Sequence, residues 1–188
     1  MGTAVAAGTY PSSFVTVLVG SLEFAYATNS GDGTISAYTI DQTTGALVAG
    51  TAVATGTYPT SVTVDPSGKF AYAANESSNN ISVYTINQTT GALVAGTAVT
   101  AGNSPTSVVT VLVGSSEFAY ATNSGDGTIW FYSINLSNGN LTKFGQVATG
   151  VYPSSVTVDP SGRFAYVANL GGGNISAYKI NQTTGALE

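Results

Sequence analysis

Residues 59–105 read PTSVTVDPSGKFAYAANESSNNISVYTINQTTGALVAGTAVTAGNSP, and this stretch decides the fold. Short apolar runs alternate in it with turn residues. SVTV (61–64) alternates as a half-buried strand does. DPSG (65–68) reads as a turn, with proline presetting φ and glycine tolerating a positive one. KFAYAAN (69–75) and ISVYTIN (81–87) are two further strands around the polar loop ESSNN, and ALVAGTAV (92–99) follows the turn QTTG as a weaker fourth. No window keeps a helical period.

The chain is four copies of this unit. The triplet Phe-Ala-Tyr starts at Phe24, Phe70, Phe118 and Phe164, spaced 46, 48 and 46 residues, and the prolines before the first strands are Pro11, Pro59, Pro105 and Pro153. Units one and three carry TVLVGS(L/S)EF where units two and four have TVDPSG(K/R)F, so the long period is a two-unit block of 94 residues. Four antiparallel strands in about 46 residues match one blade of a β-propeller. The fold expected is all-β: a single propeller domain over residues 1–188, with blades at about 12–58, 59–104, 105–152, and 153–188 completed by 2–11.

That last assignment comes from the ends of the chain. Unit four stops at NQTTGALE (181–188), without a fourth strand, while GTAVAAGTYP (2–11) matches GTAVATGTYP (50–59). The segment carrying Thr3, Val5, Tyr10 and Pro11 is therefore expected to be the missing outer strand. It would pair in cis in a four-bladed ring, or by strand exchange in a head-to-tail homodimer that forms an eight-bladed ring. The small residues on the blade faces favour the dimer. The near-identity of the two 94-residue halves is compatible with recent duplication or with design.

Composition narrows the chemistry. Among 188 residues, only 7% are charged, against the usual quarter, and the net charge is −5 with Lys69, Lys143, Arg163 and Lys179 the cations. Four scattered cations do not neutralise a phosphate backbone, so nucleic acid is not an expected partner, and an anionic membrane surface is disfavoured for the same reason. The chain has no cysteine and no histidine, which removes disulfides, thiolate nucleophiles, imidazole bases and most transition-metal sites. No cofactor or metal is expected. No apolar run approaches the roughly 20 residues of a spanning helix, and MGTAVAAGTYP lacks the basic and apolar regions of a signal peptide. A Ser/Thr/Asn/Gly surface with few charges is common in secreted or surface-exposed bacterial proteins.

At DPSGKFAYAANESSNNISVYTINQTTGAL (65–93) and DPSGRFAYVANLGGGNISAYKINQTTGAL (159–187) the chain resembles the YVTN and lactonase-like repeat family of 6-phosphogluconolactonase-type propellers. The resemblance covers all four units. It implies a propeller fold and, for some members, hydrolysis of sugar lactones in seven-bladed chains. This chain has four units, no histidine and no cluster of arginines to hold a phosphorylated sugar, so the resemblance carries over no catalytic residue.

Individual residues add weak candidates. Asp32 and Asp126 sit in NSGDGT loops beside Asn29 and Asn123, where oxygen atoms suit Ca²⁺; one carboxylate per loop and the Asn-Gly chemistry of hairpins favour a plain turn. Asp65 and Asp159 head DPSG turns, with Glu23 and Glu117 in comparable places, and read as solvated turn residues. Aromatic residues recur in the second and third strands and are expected to fill the space between blades. Trp130 and Phe131 stand apart because the other units have Ser-Ala or Ser-Val there; one of an adjacent pair on a strand should face outward as a ligand or partner contact. Seven Asn-X-Ser/Thr sequons fit an Asn/Thr-rich repeat as well as glycosylation. The function expected from these residues is a non-enzymatic scaffold that self-assembles through its ends. The alternatives are a lactonase-like hydrolase of small sugar lactones, implied by the resemblance, and a bacterial surface protein that binds glycan or protein through its blade loops.

Overall fold

The computed structural model describes residues 4–188 and contains four consecutive antiparallel sheets. Sheet one holds β1 (Pro11–Val19), β2 (Leu22–Asn29), β3 (Thr34–Ile40), β4 (Leu47–Ala49) and β5 (Val53–Ala54). Sheet two holds β6 (Pro59–Val64), β7 (Phe70–Asn75), β8 (Asn80–Ile86), β9 (Leu93–Ala95) and β10 (Val99–Thr100). Sheet three holds β11 (Pro105–Val113), β12 (Ser116–Asn123), β13 (Thr128–Ile134) and β14 (Leu141–Ala148). Sheet four has β15 (Pro153–Val158), β16 (Phe164–Asn169) and β17 (Asn174–Lys179). The outer strand is broken in the first two sheets, because Gly50 and Gly96 turn in to donate their N–H groups to the carbonyls of Ala37 and Val83, both at 2.8 Å. In sheet three it runs unbroken, past a bulge opposite Phe131 and Tyr132.

Consecutive blades pack face to face, and the repeated triplet shows how. On a strand, successive side chains point to opposite faces. Phe24 and Tyr26 point toward the second blade and pack with its Ala71, Ala73 and Tyr84; Phe70 and Tyr72 meet Ala119, Ala121 and Tyr132 of the third; Phe118 and Tyr120 meet Ala165 and Val167 of the fourth. Large rings on one face against alanines on the next let two sheets approach closely, which accounts for both the aromatic recurrence and the alanine content. The phenol ends are satisfied too: Tyr26, Tyr72 and Tyr120 donate to the carbonyls of Gly91, Gly139 and Gly185 at 2.9, 2.9 and 2.8 Å. Those glycines have positive φ and lie against Phe24, Phe70 and Phe118, where a Cβ would come within 2.3–2.6 Å of the ring. Inner strands are stitched by hydroxyls: Ser12, Thr60 and Thr106 each donate to the proline carbonyl of the next blade, at 2.7, 3.2 and 2.7 Å.

The end segment does not close blade four in cis. Among the described residues nothing pairs with the outer edge of β17 beyond the bridge of Ile180 with Leu187. Instead, residues 4–10 lie on blade one: Ala6 accepts from the Tyr38 hydroxyl at 3.0 Å, and the Gly8 N–H donates to Asn29 Oδ1 at 3.0 Å. Thr3 lies outside the described residues; Val5 and Tyr10 are exposed, and Pro11 begins β1. The reason is local. Every connection into a blade makes this contact, since Tyr84, Tyr132 and Tyr178 donate to Ala54, Thr100 and Ala148 at 2.7, 3.1 and 2.8 Å. The segment keeps the short-range half of its bonding, and the blades form an open series.

Candidate functional site

One end of each blade carries a buried asparagine, which forms a lock in blades one, three and four, whereas the Asn75 Oδ1 of blade two is buried without a partner. The second strand ends in an asparagine, Asn29, Asn75, Asn123 or Asn169, fully or nearly fully buried. The Asn29 amide donates to Thr34 and Ser36 at 3.0 and 2.9 Å, and its carbonyl oxygen receives the Gly8 N–H; Asn123 and Asn169 receive Gly102 and Gly150 N–H groups at 3.0 Å in the same way. A Cβ at Gly8, Gly102 or Gly150 would come within 2.5–2.8 Å of the asparagine, and at Gly8 and Gly102 within 2.4–2.6 Å of the neighbouring aspartate, so glycine is required for this approach. The lock joins the connection entering a blade to the loop between its second and third strands. Its signal in the sequence was the asparagine closing each aromatic strand, which was not read as a site.

Two residues further along each connection stands a residue in the left-handed region: Tyr10, Tyr58, Ser104 and Tyr152 have φ between 51° and 58°. Such backbone costs an L-residue on the order of 1–3 kcal/mol. Hydrogen bonds hold it, since the Tyr10 carbonyl accepts the Ser30 N–H at 2.9 Å and the Thr9 carbonyl accepts that of Gly31 at 3.0 Å. The three tyrosines are exposed at this end of the molecule, and the rings of Tyr10 and Tyr152 lie against Gly31 and Gly171.

Beside them are two clefts. One, of about 330 Å³, is lined by Ser30, Gly31, Asp32, Gly33 and residues 55–58; the other, of about 440 Å³, by residues 124–127 and 149–152. They are the same site 94 residues apart, each with one aspartate (Asp32 or Asp126) and one exposed tyrosine (Tyr58 or Tyr152). Asp32 accepts the Thr9 N–H at 2.5 Å and Asp126 the Asn103 N–H at 2.6 Å, which ties each loop to the connection before it. Hydrogen bonds from Thr9 hold the Asp32 carboxyl below the usual carboxylate range, so it is ionised at neutral pH. Neither cleft has a lysine or arginine in its lining. Among the described residues, no three His, Cys, Asp or Glu side chains gather as a metal site would need.

The other candidates lie elsewhere. Phe131 is buried against Tyr120 and Phe144. Trp130 is half-buried under Lys143, whose Nζ stands 3.1 Å from the ring centroid. Neither faces freely outward as the alternation of a strand suggested, because the unbroken β14 lays Lys143 and Phe144 over them. In blade one the equivalent positions are Ser36 and Ala37, which line an open hollow of about 330 Å³.

Asp65 and Glu117 are not solvated turn residues. Both are buried at the contact of blades two and three. Desolvation first, and then the Asp65 carboxylate, push the Glu117 carboxyl up to about 7, partly offset by Lys69. The pair lines none of the clefts described here, and it is assigned to packing rather than chemistry. The equivalent Asp159 is half-buried and is held at about 2, chiefly by the Ser161 hydroxyl.

The four-sheet architecture defines the class as a β-propeller. The family model described as "Lactonase, 7-bladed beta-propeller" matches residues 16–110 and 111–188, and the chain belongs to this lactonase family. Similar solved structures include a Bacteroides uniformis protein provisionally assigned as a 6-phosphogluconolactonase: 25% identical, TM-score 0.81, with 95% of this chain and 52% of that one covered. The periplasmic gluconolactonase of Pseudomonas aeruginosa shares the fold at 21% identity and a TM-score of 0.74, covering 92% of this chain and 51% of its own. No curated protein matches the chain. The chain thus spans about half the length of the structures it matches. The lactonase-family match overturns the reading as a non-enzymatic scaffold, which rested on the four units and on the lack of histidine, cysteine and clustered arginines. A lactone is an activated ester whose opening needs a water, a base to take its proton and donors for the developing oxyanion, and carboxylates, hydroxyls and backbone N–H groups supply these.

Proposed function

We propose that the chain is a lactonase-like hydrolase of small sugar lactones, acting at the paired clefts beside Tyr58 and Tyr152. The observation that carries this reading is the lactonase-family match along residues 16–188. The clefts fit the chemistry: Asp32 or Asp126 takes a proton from water as the water oxygen adds to the lactone carbonyl. The ring C–O bond then breaks, and the departing ring oxygen takes that proton back as a hydroxyl. The exposed tyrosine ring offers an apolar face to the C–H face of the sugar. With an aspartate and no cation in either cleft, and a net charge of −5, an uncharged lactone suits the site better than a phosphorylated one. Incubation with gluconolactone, followed by acid release at constant pH, tests the reading. Turnover above the spontaneous rate is expected, falling about 10²-fold or more in Asp32→Asn/Asp126→Asn; a rate equal to the spontaneous one overturns it. We further propose that four blades are half of a ring, closed by self-association of the chain.

A further inference from the structure

Three of the four faces that point toward a following blade are covered, and the fourth is bare. Ile35, Ile81 and Ile129 are fully buried, whereas their equivalent in blade four, Ile175, is 71% exposed. Tyr26, Tyr72 and Tyr120 are fully buried with their hydroxyls bonded, whereas Tyr166 is 40% exposed. The complementary bareness lies at the other end. Val62, Val108 and Val156 are buried against the preceding blade, and their equivalent in blade one, Phe14, is 53% exposed. Ala25, Ala27 and Tyr38 form a small cluster of their own, without the large rings that Ala71, Ala73 and Tyr84 receive from blade one. Gly45 has positive φ like Gly91, Gly139 and Gly185, yet nothing stands near it. The two faces carry the residue types that meet at each internal blade contact.

From these faces we infer that the surface of β15–β17 receives blade one of a second copy of this chain, in the register of the internal contacts. The proposal rests on the self-association reading above and gives it an address. The occupant is a second copy because the missing partner has the features of blade one itself. The contact from blade two to blade three lies between units of the same two types, and the 94-residue period places the same residue types on blade four and blade one. Internal pairing sets the register: Val53 pairs with Ile35, Val99 with Ile81 and Val147 with Ile129. The outer strand of blade four is then completed by the partner copy, with its Val5 opposite Ile175. The same offset puts Phe164 and Tyr166 against the partner copy's Gly45, as Phe118 and Tyr120 meet Gly185. Asp159 comes to face the partner copy's Glu23, as Asp65 faces Glu117. Two such contacts close eight blades, which lies within the known range for propellers.

The chain has no cysteine, so a cross-strand pair can be introduced cleanly. Directly opposite residues of antiparallel strands have Cα atoms about 4.5–5.5 Å apart, within disulfide reach. Under mild air oxidation, Val5→Cys/Ile175→Cys is expected to form a covalent dimer of twice the 18.9 kDa protomer, reversed by thiol reductant; the control pair Val5→Cys/Leu136→Cys should not. By light scattering the native chain is expected at the doubled mass, and Ile175→Arg and Phe14→Arg at the single mass with an unchanged β-sheet circular dichroism spectrum. A native chain at 18.9 kDa overturns the inference together with self-association. A doubled mass that survives both arginine variants, with no cross-link at 5/175, overturns this address alone. Loss or retention of lactone turnover bears on neither outcome.

Discussion

The contact of blades two and three and the bare face of blade four are built from the same residues and behave differently. Asp65 lies buried beside Glu117, while Asp159, in the same DPSG turn, is half-buried and held at about 2, chiefly by Ser161. Ile81 is fully buried and Ile175 is 71% exposed. Sequence identity gives the two turns the same local backbone and the same serine hydrogen bond to the aspartate; the blade packed beside Asp65 decides that it is buried. In a repeat protein the environment of a residue is thus a property of the next unit.

The largest test of this comparison is packing. Ile81→Ala should cost about 2–5 kcal/mol in thermal or denaturant unfolding. Ile175→Ala should stay within about 0.5 kcal/mol in the isolated protomer while weakening its self-association. Equal costs under conditions that keep the chain monomeric would break the distinction. The asparagine lock gives the converse expectation. It lies within a blade and the connection entering it, so Asn123→Ala and Asn169→Ala should each cost about 1–3 kcal/mol by leaving the Gly102 or Gly150 N–H unpaired, whichever neighbour is present. A large difference between the two would tie the lock to the next blade after all.

A pH-dependent effect separates the two carboxyl environments. Glu117 is raised from its ordinary 4.5 to about 7, so the folded chain holds its proton where the unfolded chain has lost it. Stability from this group is fully present below about 4.5, is lost progressively as pH rises through about 7, and stays lost above. Glu117→Gln should therefore raise the melting temperature at pH 8 by a few degrees more than at pH 4.5. The smallest effect is expected at the strained tyrosines. Tyr152→Gly relieves a positive φ of 51°, so stability should be unchanged or raised by up to about 1 kcal/mol while lactone turnover falls.

Most of the fold was legible because repetition writes it several times over. The 46- and 48-residue spacing, the DPSG and QTTG turns and the Phe-Ala-Tyr strand mark the recurring strands and the turns between them. The site was less legible, for physical reasons. The burial of Glu117 beside Asp65 joins residues 52 apart across a blade contact, and no local pattern records it. The left-handed backbone at Tyr10, Tyr58 and Tyr152 precedes a proline at a position where glycine would be the ordinary expectation. Trp130 and Phe131 were visible as exceptions, but their cover comes from the unbroken β14, whose sequence LTKFGQVA differs from the other outer strands. The lactonase resemblance was also on the page, while the absence of histidine drew the functional reading away from it.

Amide hydrogen exchange of the edge strand tests the central claim most directly. Peptides covering 174–179 should exchange as slowly as those covering 80–86 in the native chain at high protein concentration, and become fast in Phe14→Arg, where the partner's blade one is removed without touching β17 itself. Fast exchange of 174–179 in the native chain at high concentration, or slow exchange unaffected by Phe14→Arg, would contradict it.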